Sequence, residues 1–206
     1  MKKIKDSTTE EKILEAAEKL FYERGFAMTH TTDIAREVGC NQALVHYYFR
    51  TKEKLFESFF QNKVTLFITA FISTGNEETT FDLKMTRKIE AHFDILRKNP
   101  RLPFLLFNEI STNPQRVANF RASLGDMPNL LLSAFDKEIE KEVQEGRIRR
   151  VKAIDLILSI ISMNVIMFIA DPIIKALTGA SDKEYEKMLD RRKQENVETI
   201  LRSLRP

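Results

Sequence analysis

The chain of 206 residues contains 43% hydrophobic and 31% charged residues, and glycine and proline are few, at six each. This composition is typical of a globular helical protein and excludes a linker-rich or all-β chain. The single cysteine, Cys40, excludes an intramolecular disulfide framework and cysteine-based metal clusters, and it favours a reducing, cytoplasmic compartment. The net charge of +3 is only a weak sign of nucleic-acid binding, so the placement of the charges has to identify the partner.

The N-terminal part predicts a capped helix over residues 8–24. Thr8 and Glu11 have the spacing of a capping box, and the apolar residues that follow repeat on one helical face. Gly25 comes directly after this pattern, where a C-cap with positive φ is expected. The tail before the helix lacks the apolar segment of a secretory signal. Three lysines of this tail, Lys2, Lys3 and Lys5, are expected to stay solvated. The alternative is that they reach into the minor groove of a nucleic acid.

Two short helices follow, over residues 31–38 and 42–49, with a turn at Gly39 between them. Asn41 is expected to cap the second of these helices. A helical wheel divides this second helix into two sides, which indicates an anchored helix with a free, mixed polar face. The inward side holds Val45, Tyr48 and Phe49, and the outward side holds Gln42, Ala43, Leu44, His46 and Tyr47.

Helical periodicity continues to the end of the chain, without the alternation of β-strands. The prediction is an all-α fold of about nine helices. Its later segments cover residues 52–73, 79–98, 102–111, 114–123, 128–145, 151–177 with a kink near Pro172, and 183–204.

The most apolar segment, Leu156 to Ala170, has fifteen residues, fewer than the ~20 that span a bilayer. Because this helix is apolar nearly all round, it is predicted to be buried on every side. The last helix instead sets apolar residues among many charges. This pair of C-terminal helices suits the association of two subunits.

The first 60 residues resemble the DNA-binding domain of the TetR family of bacterial regulators. The resemblance rests on the order of helix, short helix, glycine turn, short helix and long helix, and on these residues: Ala16-Ala17, Leu20-Phe21, Gly25-Phe26, the threonines near residue 30, Ile34-Ala35, Gly39-Cys40-Asn41, Tyr47-Tyr48-Phe49 and Lys52-Glu53-Lys54-Leu55. It implies a helix-turn-helix domain over residues 1–55 and a helical effector-binding and dimerisation domain over residues 56–206. Three positions depart from the family pattern, since His30 stands near a usual Thr, His46 near a usual Tyr and Tyr48 near a usual His.

The expected DNA contacts follow from the chemistry of the groove, where one helix reads base edges with the side chains near its N-terminus. Gln42 suits a bidentate contact to adenine, and Ala43 or Leu44 suits a thymine methyl group. The remaining expected contacts are to phosphates or cap a helix: Thr31, Thr32, Asn41, His46, Tyr47, Arg50 and Lys52. The alternative for the threonines is simple capping, and for the third helix it is an ordinary solvated surface.

A small-molecule effector is expected in the C-terminal domain, because aromatic and methionine residues there are mixed with a few polar ones. The alternative is a packed core. The predicted effector site consists of His92, Leu96, Phe104, Phe107, Asn108, Phe120, Met163 and Met167.

The function predicted from the sequence is a homodimeric repressor that binds a palindromic operator and is released by a hydrophobic or amphipathic effector. The subunits are expected to associate through the last two helices. The competing hypothesis is an enzyme or a helical small-molecule carrier that does not bind DNA. The sequence contains no HExxH, GxSxG, P-loop or GxGxxG motif, so neither catalysis nor a cofactor is expected.

Overall fold

The computed structural model describes residues 8–72 and 79–206; the tail lysines, and within the helices a few side chains that include Phe120, lie outside this description. All regular elements of the described residues are α-helices, which confirms the predicted fold class. They form eleven segments instead of about nine, partly because the segment predicted over 151–177 is divided. The helices are α1 (Thr9–Met28), α2 (Thr31–Val38), α3 (Gln42–Phe49), α4 (Lys52–Ile72), α5 (Phe81–Lys98), α6 (Leu102–Thr112), α7 (Pro114–Ser123), α8 (Met127–Gln144), α9 (Ala153–Ile169), α10 (Asp171–Thr178) and α11 (Asp182–Leu204).

Helix α1 begins at the predicted capping box. The Thr8 amide donates to Glu11 Oε2 (2.7 Å), and the Glu11 amide donates to Thr8 Oγ1 (3.3 Å). At Gly25 the backbone leaves helical geometry with a φ of 74°, and one further turn continues to Met28. The glycine therefore interrupts the helix at the predicted place, because this φ is unfavourable for a residue with a Cβ atom.

The chain divides into two compact units, one formed by Met1–Thr65 with Leu105–Phe120 and the other by Leu66–Phe104 with Arg121–Pro206. The first unit thus includes residues beyond the predicted functional boundary at residue 55, which stays a prediction.

A cluster of phenylalanines joins α1 to α4 in the first unit. Phe56 lies with its ring centroid 5.1 Å from those of both Phe21 and Phe26, in edge-to-face geometry. Ile34 of α2 and Val45 of α3 are also buried. Burial of these aromatic and aliphatic side chains fixes the two short helices, which are too short to be stable alone.

Helix α9 is the centre of the second unit, and α5, α8, α10 and α11 pack around it. One apolar cluster includes Met85 of α5 and Ile160 of α9, and another includes Phe93 of α5 and Leu189 of α11. The apolar residues of α11 face this core, so α11 exposes mainly its charged side.

The prediction that the apolar helix is buried on every side is wrong. Leu158 is 55% exposed and Ile166 is 49% exposed, whereas Ile160 is fully buried. The neighbouring helices cover one side of α9 within this chain and leave an apolar strip on the other. Within the described residues, no single helix is long and apolar enough to span a membrane. Helices α9 and α10 meet this length and composition only when they are taken together, and a bend of 66° separates them.

Candidate nucleic-acid interface

The turn between α2 and α3 is built by Gly39 and Asn41. Gly39 adopts a left-handed conformation with φ 77° and ψ 30°, and the following Cys40 amide donates to the Ala35 carbonyl oxygen (2.9 Å). Asn41 Oδ1 then accepts the amide of Leu44 (2.9 Å), as the sequence predicted for a cap. These bonds end α2 and begin α3 within three residues, which fixes the angle between the two helices.

Next to this turn lies an open depression of about 410 Å³ that we call the α2–α3–α4 groove. It is bordered by the N-termini of α2 and α4, where main-chain N–H groups without helical partners and the helix dipoles favour an anion. Six of its lining residues are predicted DNA contacts, and sequence reasoning missed the other two, His30 and Thr51. The groove is lined by His30, Thr31, Thr32, Gln42, His46, Arg50, Thr51 and Lys52.

A chain of side-chain hydrogen bonds crosses the groove. Gln42 Nε2 donates to Thr31 Oγ1 (2.9 Å) and lies 3.1 Å from His46 Nε2, while His46 Nδ1 lies 3.0 Å from the Arg50 carbonyl oxygen. This network ties the start of α2 to both ends of α3. Thr31 therefore positions Gln42 and does not cap α2, whose N-cap residue His30 makes no side-chain capping bond.

Arg50 connects α3 to α4 in a strained backbone conformation. Its φ of 62° and ψ of −57° are those of a γ-turn with a positive central φ, which is rare for a residue other than glycine. The expected i to i+2 hydrogen bond is present between the Thr51 amide and the Phe49 carbonyl oxygen (2.6 Å). The His46 ring binds the carbonyl group of this same strained residue, so the network of α3 also stabilises the turn.

Lys52 is engaged within the protein. Its ammonium group donates to the Phe26 carbonyl oxygen (3.0 Å) and the Ala27 carbonyl oxygen (3.4 Å), and it lies 4.2 Å from the centre of the Phe26 ring. A phosphate in the groove would have to share this cation with the turn that follows Gly25. Arg50, in contrast, is exposed.

The remaining predicted contacts lie at the outer surface of α2 and α3. Tyr47 is 69% exposed, Thr32 and Ala43 are exposed, and Leu44 is half-buried. Tyr48 was predicted to face inward, but it is 38% exposed and packs edge-to-face on Tyr47, with 5.2 Å between ring centroids. The inward prediction for Tyr48 is wrong, because α3 ends one residue later and only Val45 and Phe49 reach the core.

The predicted effector residues fall into two groups. His92, Leu96 and Met167 are buried in the second unit, and Met163 is partly buried against the core cluster. Phe104 and Phe107 are 62% and 66% exposed, and Asn108 is exposed. The eighth residue, Phe120, has its side chain outside the described residues.

His92 takes part in a buried polar network. Asn164 Nδ2 donates to the Ile89 carbonyl oxygen (3.0 Å) and lies 3.0 Å from His92 Nδ1. Asn164 Oδ1 accepts a hydrogen bond from Asn196 Nδ2 (2.8 Å). Burial lowers the pKa of the His92 imidazole to about 4, since the charged ring would lose its hydration.

Comparison with known proteins identifies the two parts of the chain. The family model of bacterial regulatory proteins of the TetR family matches residues 13–59, and that of the tetracyclin repressor-like C-terminal domain matches residues 83–200. The chain belongs to the TetR family. TetR-family proteins are transcriptional regulators that bind DNA and have no enzymatic role, so this chain is a transcriptional regulator and not an enzyme.

Two relatives illustrate the range of the family. A fatty acid metabolism regulator protein of Bacillus subtilis (strain 168) is 24% identical over 137 residues, which cover 66% of this chain and 69% of the relative. The nucleoid occlusion factor SlmA of Pasteurella multocida (strain Pm70) is 31% identical over 106 residues, which cover 49% of this chain and 53% of SlmA.

Solved structures of other proteins share this fold over nearly the whole length of the chain. A tetR-family regulatory protein from Rhodococcus RHA1 has a TM-score of 0.72 at 18% identity, covering 97% of this chain and 98% of its own. The ketosteroid transcriptional regulator KstR2 of Mycobacterium tuberculosis has a TM-score of 0.69 at 14% identity, and the match covers 98% of this chain and 97% of KstR2. At these identities the likeness concerns the fold alone.

Proposed function

We propose that this TetR-family regulator is a homodimeric repressor that binds a palindromic operator through α3 and the α2–α3–α4 groove. The observation that carries the proposal is the groove itself. It combines two helix N-termini, which suit a phosphate, with the exposed outer side of α3, which suits base edges. In a dimer, two copies of α3 would enter successive major grooves about 34 Å apart.

The test is enrichment of genomic fragments by the purified protein at moderate salt, followed by sequencing. The expected result is a small set of fragments that share a palindrome. The double variant Gln42→Ala, Tyr47→Ala should lose this enrichment while keeping its melting temperature, because both side chains are exposed. Binding of every fragment as weakly as bulk DNA would contradict the operator.

The apolar strip of α9 supports association of two chains. Ile154, Leu158 and Ile161 are 42%, 55% and 37% exposed and follow one another at helical spacing. The proposed dimer uses this strip, with α11 adding mainly its charged side. Sedimentation velocity should give a dimer for the wild type and a monomer for Leu158→Glu. The matched variant Leu83→Glu, at a leucine of α5 that is 44% exposed, should remain dimeric.

The proposed effector is hydrophobic or amphipathic and binds in the second unit near four of the predicted site residues, His92, Leu96, Met163 and Met167. Support comes from the buried apolar group around His92, and from the relative that is named as a regulator of fatty acid metabolism. The probes are palmitic acid and its coenzyme A thioester. Either one should weaken operator binding at least about tenfold if it favours the state that does not bind DNA.

Met163→Trp, a change at the partly buried predicted site residue, should abolish the response to the probe. The control Met127→Trp, at a methionine of α8 that is 44% exposed, should keep it. Equal operator affinity with and without either probe would exclude these compounds as effectors, and native mass spectrometry of the purified protein would then identify any bound compound.

A further inference from the structure

The hydrogen bonds of Gln42 leave only its carbonyl oxygen available. One hydrogen of the Nε2 group goes to Thr31 Oγ1 (2.9 Å) and the other is directed at His46 Nε2 (3.1 Å). Within residues 8–72 and 79–206, no side chain or main-chain group donates to Gln42 Oε1. Gln42 is exposed on the outer side of α3, so this oxygen can accept a hydrogen bond from a ligand that binds to that side.

The direction of the Gln42 amide is set by His46. The Arg50 carbonyl oxygen can only accept a hydrogen bond, so His46 Nδ1, 3.0 Å away, must carry the proton. In the neutral ring, Nε2 is then an acceptor and can face only a donor. The amide of Gln42 therefore turns its NH₂ group to the ring, and rotating the amide by half a turn would place two acceptors against each other.

We infer that Gln42 reads a base pair as an acceptor only, and that His46 is the positioning residue that sets this preference. The inference rests on the proposed operator binding. In the major groove, adenine N6 and cytosine N4 are donors, whereas guanine O6 and N7 and thymine O4 are acceptors. Gln42 thus favours adenine or cytosine and does not use adenine N7. This differs from the bidentate adenine contact that the sequence alone suggests.

The experiment uses an operator duplex selected from a random DNA library by the full chain. Affinities for all single-base variants of this duplex, measured with the wild type and with Gln42→Ala, locate the base pair that Gln42 reads. Each base pair has one amino donor in the major groove, on its adenine or its cytosine, so replacing that base by an analogue without the amino group should remove the contribution of Gln42 to the affinity. Where that base is adenine, 7-deazaadenine, which lacks N7 but keeps the N6 amino group, should change the affinity by less than about twofold.

Two substitutions test the role of His46. His46→Phe removes the acceptor, which frees one amide hydrogen of Gln42 to reach adenine N7. Adenine should then be preferred over cytosine by about tenfold, and 7-deazaadenine should lose that gain. His46→Gln supplies an acceptor and a donor side by side, as neutral imidazole does, and should restore the wild-type preference. A purely structural role of His46 would weaken binding to all bases alike.

Each outcome has one meaning. The inference would be overturned by an undiminished Gln42 contribution after removal of the amino group of adenine or cytosine at that pair, by a loss of about tenfold with 7-deazaadenine, or by unchanged base preference in His46→Phe. Sequence-specific binding in which no base pair responds to Gln42→Ala would also overturn the inference. That result would still be consistent with the proposed function. Selection of no preferred sequence would remove the proposed operator binding and the inference with it.

Discussion

The surface of α3 and the interior beside α9 each contain a histidine ring that accepts a hydrogen bond from a primary amide. On the surface, Gln42 donates to His46 Nε2, and the other ring nitrogen donates to a main-chain carbonyl oxygen. In the interior, Asn164 donates to His92 Nδ1. His46 is exposed and His92 is 5% exposed, so the same bond has different consequences in the two places.

The difference lies in what replaces a lost bond. Water can take over the partners of His46, so breaking the surface network costs little stability and changes mainly which group Gln42 presents to a ligand. No solvent reaches Asn164, which is 0% exposed, so water cannot replace a hydrogen bond that is lost there in a medium of low dielectric. The interior network therefore holds the second unit together, while the surface network suits recognition.

The largest expected effect is on the interior network. Asn164→Ala should lower the free energy of unfolding by about 3 kcal/mol, because it removes a fully buried side chain together with its hydrogen bonds to the Ile89 carbonyl, the His92 ring and the Asn196 amide. Chemical denaturation measures this change. The matched variant Asn129→Ala, at an exposed asparagine of α8, should cost less than about 1 kcal/mol, and equal losses in the two variants would contradict the comparison.

The second-largest expected effect is on the pH dependence of the free energy of unfolding. The pKa of His92 is about 4 in the folded chain, below the ordinary value of 6.5, so between these pH values the unfolded chain binds a proton that the folded chain does not. The His92 contribution is therefore complete above pH 6.5 and is lost as the pH falls to 4, by up to about 3 kcal/mol.

This contribution is measurable as a difference between two proteins. Denaturation at pH 7 and pH 4.5 should show a smaller pH-dependent loss for His92→Gln than for the wild type, because carboxylate titration is common to both. Parallel pH profiles of the two proteins would show that His92 is not held neutral by burial.

A smaller effect, of opposite sign, is expected at the surface turn. Arg50→Gly should raise the free energy of unfolding by about 1 kcal/mol, since glycine adopts a φ of 62° without strain. The same change should weaken operator binding, because it removes an exposed guanidinium from the groove. Arg50→Ala is the control: it should weaken binding equally without the gain in stability. A stability gain in both variants would assign the effect to the arginine side chain and not to the turn.

The smallest expected effects on stability distinguish two lysines of α4, Lys52 and Lys54. Lys52→Ala should cost about 1 kcal/mol of stability, because Lys52 binds the Phe26 carbonyl and lies over its ring. Lys54→Ala should cost less than about 0.5 kcal/mol, because Lys54 forms an exposed ion pair with Glu57. Equal changes in melting temperature would show that the Lys52 contacts do not persist in solution.

Much of the first unit could be predicted from the sequence because its signals are local. The capping box at Thr8, the positive φ at Gly25 and the Asn41 cap each depend on residues within a few positions, and the structure contains all three. The turn at Arg50 carries no such signal, since neither glycine nor asparagine occupies it. The hydrogen bond between Thr31 and Gln42 joins residues eleven positions apart. The orientation of a side-chain amide and the tautomer of a histidine cannot be predicted from the spacing of residues in the sequence.

The second unit was harder to predict because apolar patterns do not reveal their partners. The continuous apolar run of α9 indicated burial on every side, yet one side is covered by this chain and the other carries the exposed Leu158. The prediction of the effector residues rests on residue type, and residue type does not separate the buried His92 from the exposed Phe104.

The central claim, that the α2–α3–α4 groove binds the operator, is tested most directly by nuclear magnetic resonance of side-chain amides. The measurement is a titration of the labelled protein with a selected operator duplex, with Gln42→Ala and Gln144→Ala to assign the resonances. The side-chain amide signals of Gln42 should shift or broaden in proportion to bound DNA, while those of Gln144, an exposed glutamine of α8, remain in place. Binding of the duplex with the Gln42 signals unchanged would place the operator on another surface and contradict this account.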